Sequence, residues 1–160
     1  MSKTKKLVLV LGGAFLACAS GVVASRVARA TPPQGVTQTL LAGPVVLDEI
    51  DIVTQTRTHG AIVKTRGLSD AYVVHATIAP GGDTGWHSHP GPVFVLITAG
   101  TATHYDSDFV PSVYPAGTGF AEDGEVHILR NEGNTDLELY AFFLVPKGAP
   151  RRIDEPAPQP

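Results

Sequence analysis

A chain of 160 residues allows one domain of ordinary size. Its composition, 43% hydrophobic and 17% charged, excludes a disordered chain and a highly charged tail protein. From Thr31 onward there are seven basic and fifteen acidic residues, a balance that argues against nucleic acid as a partner. The only cysteine, Cys18, precedes this region, which excludes a disulfide framework, a zinc ribbon and a cysteine nucleophile in the body of the protein.

The first thirty residues have the pattern of an export signal. Lysines at positions 3, 5 and 6 precede an uncharged apolar run over 7–25, and Ala28-Arg29-Ala30 fits the small-x-small cleavage rule. We therefore predict a signal peptide over 1–30, a mature chain that begins at Thr31, and an exported protein, extracellular or in the cell envelope. The alternative is an uncleaved membrane anchor as the only membrane contact, because the uncharged run approaches the roughly 20 residues that a spanning helix needs.

Short runs of alternating apolar and polar residues, separated by turn residues, follow position 31. This pattern predicts β-strands at 36–41, 45–53, 61–65, 71–79, 93–98, 101–105, 119–121, 126–131 and 137–145. Many short strands without a helical stretch favour an all-β sandwich or small barrel. Five prolines between positions 146 and 160 predict an extended, solvated tail over 147–160.

Two histidines, His87 and His89, lie in a glycine-rich segment between Gly81 and Pro92. Because side chains alternate along a strand, both imidazoles project from one face, a geometry suited to neighbouring positions on one metal ion. Such a pair also arises by chance on a protein surface. How strongly this histidine pair indicates a metal site therefore depends on the spacing of the residues around it.

These surrounding residues resemble the two motifs of the cupin superfamily. The first motif, G-x5-H-x-H-x3,4-E-x6-G, is matched by Gly81, His87, His89 and Gly100, with Val93 at the glutamate position. The second motif, G-x5-P-x-G-x2-H-x3-N, is matched by Gly124, His127 and Asn131, with Glu122 at the proline position and the leading glycine displaced to Gly117. The resemblance implies a single antiparallel jelly-roll barrel over 60–146, with N-terminal strands in 31–59 packed on it.

The resemblance also makes His87, His89 and His127 the ligands of one divalent metal ion, Fe, Zn, Mn or Ni, in the barrel mouth. The fourth ligand of the family, a carboxylate, is replaced by Val93. Three neutral imidazoles leave the charge of such an ion uncompensated, which favours an anionic ligand. The alternative is a barrel that kept its histidines and lost its metal. The residues expected on the pocket wall are Val93, Val95, Trp86 and Asn131.

His104 is a candidate catalytic residue. If a tight hairpin turn lies at 99–100, Val95 pairs with His104, and His104 then points into the barrel. A histidine there has a catalytic or ligating role, or it is simply hydrogen-bonded to a neighbour. The acidic residues at 106, 108, 122, 123 and 125 are expected to form a solvated rim, in which Glu122 and Glu125 could hydrogen-bond a ligand-bearing loop.

Two classes of function follow. One is a small metalloenzyme that acts on a small molecule in the barrel mouth, dioxygenase-like with iron, or isomerase-like or hydrolytic with zinc, nickel or manganese. The other is a non-catalytic exported module that binds a small ligand with or without metal. A homodimer is also expected, because cupins often pair and both faces of the strand at 93–97 are apolar.

Overall fold

The computed structural model describes residues 29–159. The regular secondary structure within this range consists of β-strands alone. The predicted signal peptide or anchor lies outside the described residues, except for its last two positions. In the described part of the chain, no helix has the length and apolar character needed to cross a membrane.

Twelve strands follow one another in the described residues. They are β1 (Gln34–Leu47), β2 (Asp51–Gln55), β3 (Gly60–Lys64), β4 (Ser69–Asp83), β5 (His87–Ser88), β6 (Val93–Ala99), β7 (Thr101–Tyr105), β8 (Pro111–Pro115), β9 (Gly119–Glu122), β10 (Ile128–Arg130), β11 (Leu137–Pro146) and β12 (Ile153–Asp154). Eight of them form one antiparallel, nearly closed barrel in the order β8-β7-β10-β4-β11-β6-β9, with β1 also paired to β4. The prediction of a single all-β barrel is confirmed.

The hydrophobic core lies inside this barrel. Alternate residues of β4, β6 and β11 point inward and are buried, as the period of two in a strand requires. They are Val74, Ala76, Ile78, Val93, Val95, Ile97, Leu137, Leu139, Ala141, Phe143 and Val145. The intervening residues of β6 face outward, where Phe94 is 48% and Leu96 is 60% exposed.

β1 continues through a point at which the sequence predicts a turn. Gly43 has a φ of +108°, and a Cβ added to it would lie 2.5 Å from the carbonyl oxygen of Ala71 on β4. Only glycine allows the two backbones to approach this closely. The segment is therefore an irregularity in the pairing of β1 with β4, and β1 ends at Leu47.

The hairpin of β2 and β3 is separate from the eight-stranded sheet. Its residues are exposed, apart from the half-buried Ala61. Within the N-terminal region expected over 31–59, β1 is the strand that pairs with the barrel, and Thr31 accepts a hydrogen bond from the N–H of Trp86 at 2.6 Å. β3, which falls within the predicted barrel range of 60–146, does not take part in the barrel.

The C-terminal segment is docked on the barrel, so the expectation of a solvated tail is wrong for residues 151–156, the C-terminal strap. Within the strap, β12 pairs with β5, and Pro156 forms a bridge with Ala30. Before the strap in the chain, the N–H of Gly148 donates to Oδ2 of Asp70 on β4 at 2.8 Å. The prolines do not prevent this pairing, because β12 contains none and keeps its N–H donors.

Candidate metal centre

Two short backbone segments bring three histidines together. His87 in β5 and His127 before β10 exchange two backbone hydrogen bonds of 2.9 Å. Residues opposed in this way project to the same side, and His89, two residues after His87, joins them. The ring centroid of His87 lies 4.3 Å from that of His127 and 4.9 Å from that of His89. The structure thus brings together the three predicted ligands, which we call the His triad.

Backbone carbonyl groups fix the tautomer of each imidazole in the His triad. Each Nδ1 donates to one carbonyl oxygen: His87 to Gly85 at 2.8 Å, His89 to Arg151 at 2.6 Å and His127 to Glu125 at 2.8 Å. Since a carbonyl oxygen only accepts, each Nδ1 carries the hydrogen and each Nε2 of a neutral ring carries a lone pair. One nitrogen from each ring lies within 4.8 Å of the other two, a group that could hold a metal ion.

All three rings of the His triad are buried. Burial, together with the positive charge of neighbours that include His127 and Arg152, lowers the pKa of His87 to about 2. The reason is that an imidazolium loses its hydration when it is taken out of water. His87 is therefore neutral near pH 7, the form in which imidazole binds metals.

A carboxylate lies inside this group of histidines. Glu122 is 9% exposed, and its Oε2 lies 3.2 Å from Nε2 of His89 while its Oε1 lies 3.2 Å from Nε2 of His127. The expectation that Glu122 belongs to a solvated rim is therefore wrong. The physical reason is strand alternation, because Glu122 is two residues after Phe120 on β9 and shares its inward face.

Glu122 and His127 shift each other's protonation. Burial alone would raise the pKa of Glu122, but contacts with His127 and His89 and their positive charge lower it below its ordinary value. Burial alone would lower the pKa of His127, yet the contact with Glu122 outweighs it and raises that pKa. Nε2 of His127 still has no hydrogen-bond partner among the described residues, although Oε1 is near. In its neutral form His127 offers a buried lone pair at Nε2, and this lone pair beside a buried carboxylate matches what a metal cation requires.

Glu122 lies directly across from the residue at the family's glutamate position. β6 and β9 are antiparallel neighbours whose register pairs Val93 with Glu122. Residues opposed in this way share a face of the sheet, with Cβ atoms about 5 Å apart. Val93 is 1% exposed and lines the same cavity as Glu122. The carboxylate thus reaches the site from β9, whereas the motif places it on β6.

His104 faces inward, although not for the reason that the sequence suggested. β6 and β7 do not pair: Val95 lies opposite Ala141 of β11, and His104 lies opposite Leu129 of β10. The predicted hairpin between them is therefore wrong. Both strands take their partners from distant parts of the chain, which a local turn signal does not reveal.

His104 extends the cluster of the His triad. It is 9% exposed, and its ring stacks on that of His127 with centroids 5.1 Å apart. Its Nε2 is buried without a hydrogen-bond partner in the described chain and lies 3.9 Å from Oε1 of Glu122. Burial, then the charge of His127, lowers the pKa of His104. His104, Glu122 and His127 form a second group that could hold a metal.

Two cavities meet at Glu122. The apolar cavity, of about 220 Å³, contains His87, His89 and Glu122 among mostly aliphatic walls that include Val93 and Val95. The polar cavity, of about 170 Å³, is lined by His104, Asp106, Ser112, Tyr114, Phe120, Ala121, Glu122, Asp123, Glu125 and His127. Arg151 and Arg152 of the C-terminal strap also line the apolar cavity, and no motif in the sequence indicates this role for them.

Trp86 and Asn131, expected on the pocket wall, line neither cavity. Trp86 is 4% exposed and packs edge-on against Phe109, with ring centroids 5.4 Å apart. Asn131 is 1% exposed, and its Nδ2 donates to the carbonyl oxygens of Ile78 and Thr135. Their contacts are made within the protein, so both residues support the fold.

Comparison with known proteins identifies the domain. A family model of the cupin domain (Cupin_2) matches residues 74–145. An oxalate-binding protein of Thermotoga maritima is 30% identical over 69 residues, which cover 42% of this chain and 57% of that protein. The chain therefore spans little more than half the length of this curated relative.

Solved structures are similar to this chain at low sequence identity. The polyketide cyclase RemF of Streptomyces resistomycificus has a TM-score of 0.54 at 13% identity, over 79% of this chain and 77% of that one. A cupin superfamily protein of Desulfitobacterium hafniense has a TM-score of 0.48 at 14% identity, over 73% of this chain and 83% of that one. The barrel, the cluster of three histidines and the match to the family model together identify residues 74–145 as a cupin domain.

Proposed function

We propose that the protein binds one divalent metal ion and, through it, a small molecule that carries a carboxylate. The observation that carries this proposal is the fixed tautomer of the His triad. Carbonyl oxygens occupy all three Nδ1–H groups, so that three Nε2 lone pairs remain in one buried group. Hydrogen bonds of this kind orient metal-ligating imidazoles and raise their basicity.

Glu122 is proposed as the fourth donor. Its two oxygens each lie 3.2 Å from an Nε2 atom, of His89 and of His127, so the carboxylate is already within the donor group. Three imidazoles and one carboxylate suit Fe, Zn, Mn or Ni. When bound, such an ion supplies Lewis acidity or, for iron, reactivity with dioxygen, which is the basis for proposing isomerase-like or dioxygenase-like chemistry.

Two features support a carboxylate as the ligand. The curated relative, matched over 69 residues, is named an oxalate-binding protein. In addition, Arg152 lines the apolar cavity together with His87 and His89, and Glu122 is the sole acidic residue among the lining side chains of this described region. A dipositive ion held by one carboxylate keeps a net positive charge, which attracts an anion.

A non-catalytic protein that binds a small ligand without metal is the second candidate. The apolar cavity favours it, because about 220 Å³ exceeds the ~150 Å³ that accommodates benzene in an engineered protein cavity. Metal content of protein purified without added metal separates the two. A stoichiometric ion supports the metal centre, whereas ligand binding by metal-free protein supports the alternative.

An exchange of two facing residues tests the fourth donor. Glu122→Val is expected to weaken Mn²⁺ binding by at least about tenfold, because the site loses a donor and its negative charge. The double variant Val93→Glu/Glu122→Val is expected to restore most of this affinity, since it moves the carboxylate to the facing position on β6. Calorimetric titration with Mn²⁺ measures both variants.

The control for this exchange is Asp123→Val, which removes a neighbouring exposed carboxylate and is expected to bind Mn²⁺ like the parent. If Glu122→Val also binds like the parent, Glu122 is not a ligand. If the double variant stays as weak as Glu122→Val, the carboxylate does not act from the shared face of β6 and β9.

We also propose export, supported by the basic, apolar and small-residue pattern of residues 1–30. The intact mass of protein recovered outside the cytoplasm tests it. A mass that corresponds to a start at Thr31 supports a cleaved signal peptide. A mass that retains residues 1–30 supports the membrane anchor.

A homodimer is proposed through the outer face of β6 and β11. Phe94 lies opposite Phe142, and Leu96 lies opposite Tyr140, and all four side chains are between 38% and 60% exposed. Contiguous apolar surface of this kind marks interaction sites. Sedimentation velocity measures the oligomeric state, and Leu96→Arg is expected to shift a dimer to monomer. A parent protein that sediments as a monomer would contradict the proposal.

A further inference from the structure

The C-terminal strap is hydrogen-bonded at both of its ends to residues 86–89, the segment that carries His87 and His89. At one end, the carbonyl oxygen of Arg151 accepts from Nδ1 of His89. At the other, the N–H of Glu155 donates to the carbonyl oxygen of Trp86 at 3.0 Å, and its Oε1 accepts from Oγ of Ser88 at 3.0 Å. Arg152 lies between these anchors, so its backbone has a defined position at the wall of the apolar cavity.

The two arginines of the strap differ in what occupies their guanidinium groups. Arg151 lies over the rings of Tyr72 and Phe143, 5.4 and 5.6 Å from their centroids. Arg152 bonds Asp154 through Nε, but its Nη2 is buried and has no hydrogen-bond partner within residues 29–159. Because a buried N–H without an acceptor is unfavourable, Arg152 has a donor for which the described chain provides no acceptor.

This donor lines the same cavity as His87, His89 and Glu122. The electrostatic influence of Arg152 on His87 is consistent with this proximity. A carboxylate has two acceptor oxygens, so one can bind a metal ion while the other accepts from a guanidinium N–H. Arg152 and the proposed metal centre together therefore match one carboxylate.

The rest of the apolar cavity suits a hydrocarbon. Beyond the proposed metal centre and the two arginines, its lining residues are mostly aliphatic, such as Ile78, Leu139 and Ala141, and the polar ones are Gln38 and Thr84. The hydroxyl of Thr84 is occupied, since it donates to the carbonyl oxygen of Gly85 at 3.2 Å and accepts from the N–H of Leu129 at 2.9 Å. A second carboxylate in this region would lose its hydration against apolar walls, whereas one aromatic ring fits a cavity of about 220 Å³.

We propose that the ligand is a monocarboxylate with an apolar body about the size of one aromatic ring, whose carboxylate is shared between the metal ion and Arg152. This inference rests on the proposed metal centre and narrows its ligand class. Oxalate has two carboxylates and no apolar body, so it matches the metal centre but not the cavity behind it.

Calorimetric titration of the full Mn²⁺-loaded chain tests the ligand class with three probes: phenylacetate, oxalate and 2-phenylethanol. Phenylacetate is expected to bind at least about tenfold tighter than either of the others, because it alone combines the charge with the apolar body. Tighter binding of oxalate, or equal binding of 2-phenylethanol, overturns the inference. A chain that does not bind Mn²⁺ overturns the proposed metal centre instead, before any organic probe is added.

Two arginine variants test the site proposed for the carboxylate of the ligand. Arg152→Gln is expected to weaken phenylacetate binding by about tenfold and to keep the Mn²⁺ affinity within about threefold. The matched control, Arg151→Gln, is expected to weaken phenylacetate by less than about threefold, because that guanidinium is held against aromatic rings. Equal losses in the two variants overturn the role of Arg152.

Ala141→Leu tests the position of the apolar body, since Ala141 is buried in the wall of the apolar cavity. The added side chain is expected to abolish phenylacetate binding while acetate still binds. Thermal unfolding checks that the variant folds, and Ala76→Val is the smaller substitution at the same cavity if it does not. A folded variant that binds phenylacetate like the parent overturns the proposed position.

Discussion

The apolar and polar cavities share Glu122 but differ in almost every other respect. The apolar cavity is walled by aliphatic side chains and contains His87 and His89, whereas the polar cavity contains His104 with carboxylates such as Asp106. His127 belongs to both metal-capable groups. The cluster of histidines thus lies at a boundary between a region that suits hydrocarbon and one that suits hydrated, polar groups.

The two metal-capable groups also differ in how firmly their rings are held. Every Nδ1 of the His triad donates to a carbonyl oxygen at 2.8 Å or less. Nδ1 of His104 lies 3.7 Å from Oδ1 of Asp106, too far for a hydrogen bond. Because a preorganised ligand loses less conformational entropy on binding, we place the proposed metal on the His triad and not on the group around His104.

His127→Ala is the change with the largest expected effect, because it removes the residue that both groups share. We expect Mn²⁺ affinity to fall by at least about 100-fold while the barrel still unfolds cooperatively. Calorimetry measures the affinity, and thermal unfolding serves as the control for folding. Stoichiometric metal in this variant would show that neither group is the site.

Leu139→Ala in the apolar cavity and Ser112→Ala in the polar cavity are compared for their effect on the free energy of unfolding. Leu139 is buried, and its truncation is expected to lower the free energy of unfolding by about 2–5 kcal/mol. Ser112, half-buried beside water-accessible carboxylates, is expected to change it by no more than about 0.5 kcal/mol. Urea denaturation measures both variants. Similar losses would contradict the contrast between the two cavities.

His104→Ala has the smallest expected effect on metal binding. With the metal on the His triad, Mn²⁺ affinity should change by less than about threefold, because His104 contributes stacking and not a donor. His87→Ala, measured beside it, should lose far more. The reverse order would place the metal in the group with His104 and Glu122 and would move the open face of the site toward the polar cavity.

Much of the barrel follows from local sequence patterns. Alternation places β4, β6 and β11, because each strand buries alternate residues and the buried set is strongly apolar. β8 was not predicted, since Pro111 and Pro115 at its ends give a turn signal that outweighs the short alternation between them. Its pairing with β7 supplies the stabilisation that local propensity lacks.

The histidines of the site were predicted from the resemblance to the two cupin motifs, whereas Glu122 and Arg152 depend on contacts between distant segments that a motif does not describe. The carboxylate of Glu122 reaches the His triad because β9 pairs with β6 in the register that sets Glu122 opposite Val93. This pairing joins segments that are distant in the sequence. Arg152 reaches the apolar cavity because β12 pairs with β5. The role of Val93 as a missing ligand was therefore identified from sequence, but not the carboxylate opposite it.

The hydrogen bond from Nδ1 of His89 to the carbonyl oxygen of Arg151 joins residues 62 positions apart. It has a consequence for biogenesis. A nascent chain that has not yet extended past Arg151 has no carbonyl group to fix the His89 tautomer, and its barrel mouth lacks the strap. The ring orientation that the proposed metal centre requires is therefore complete only when nearly all of the described chain is present.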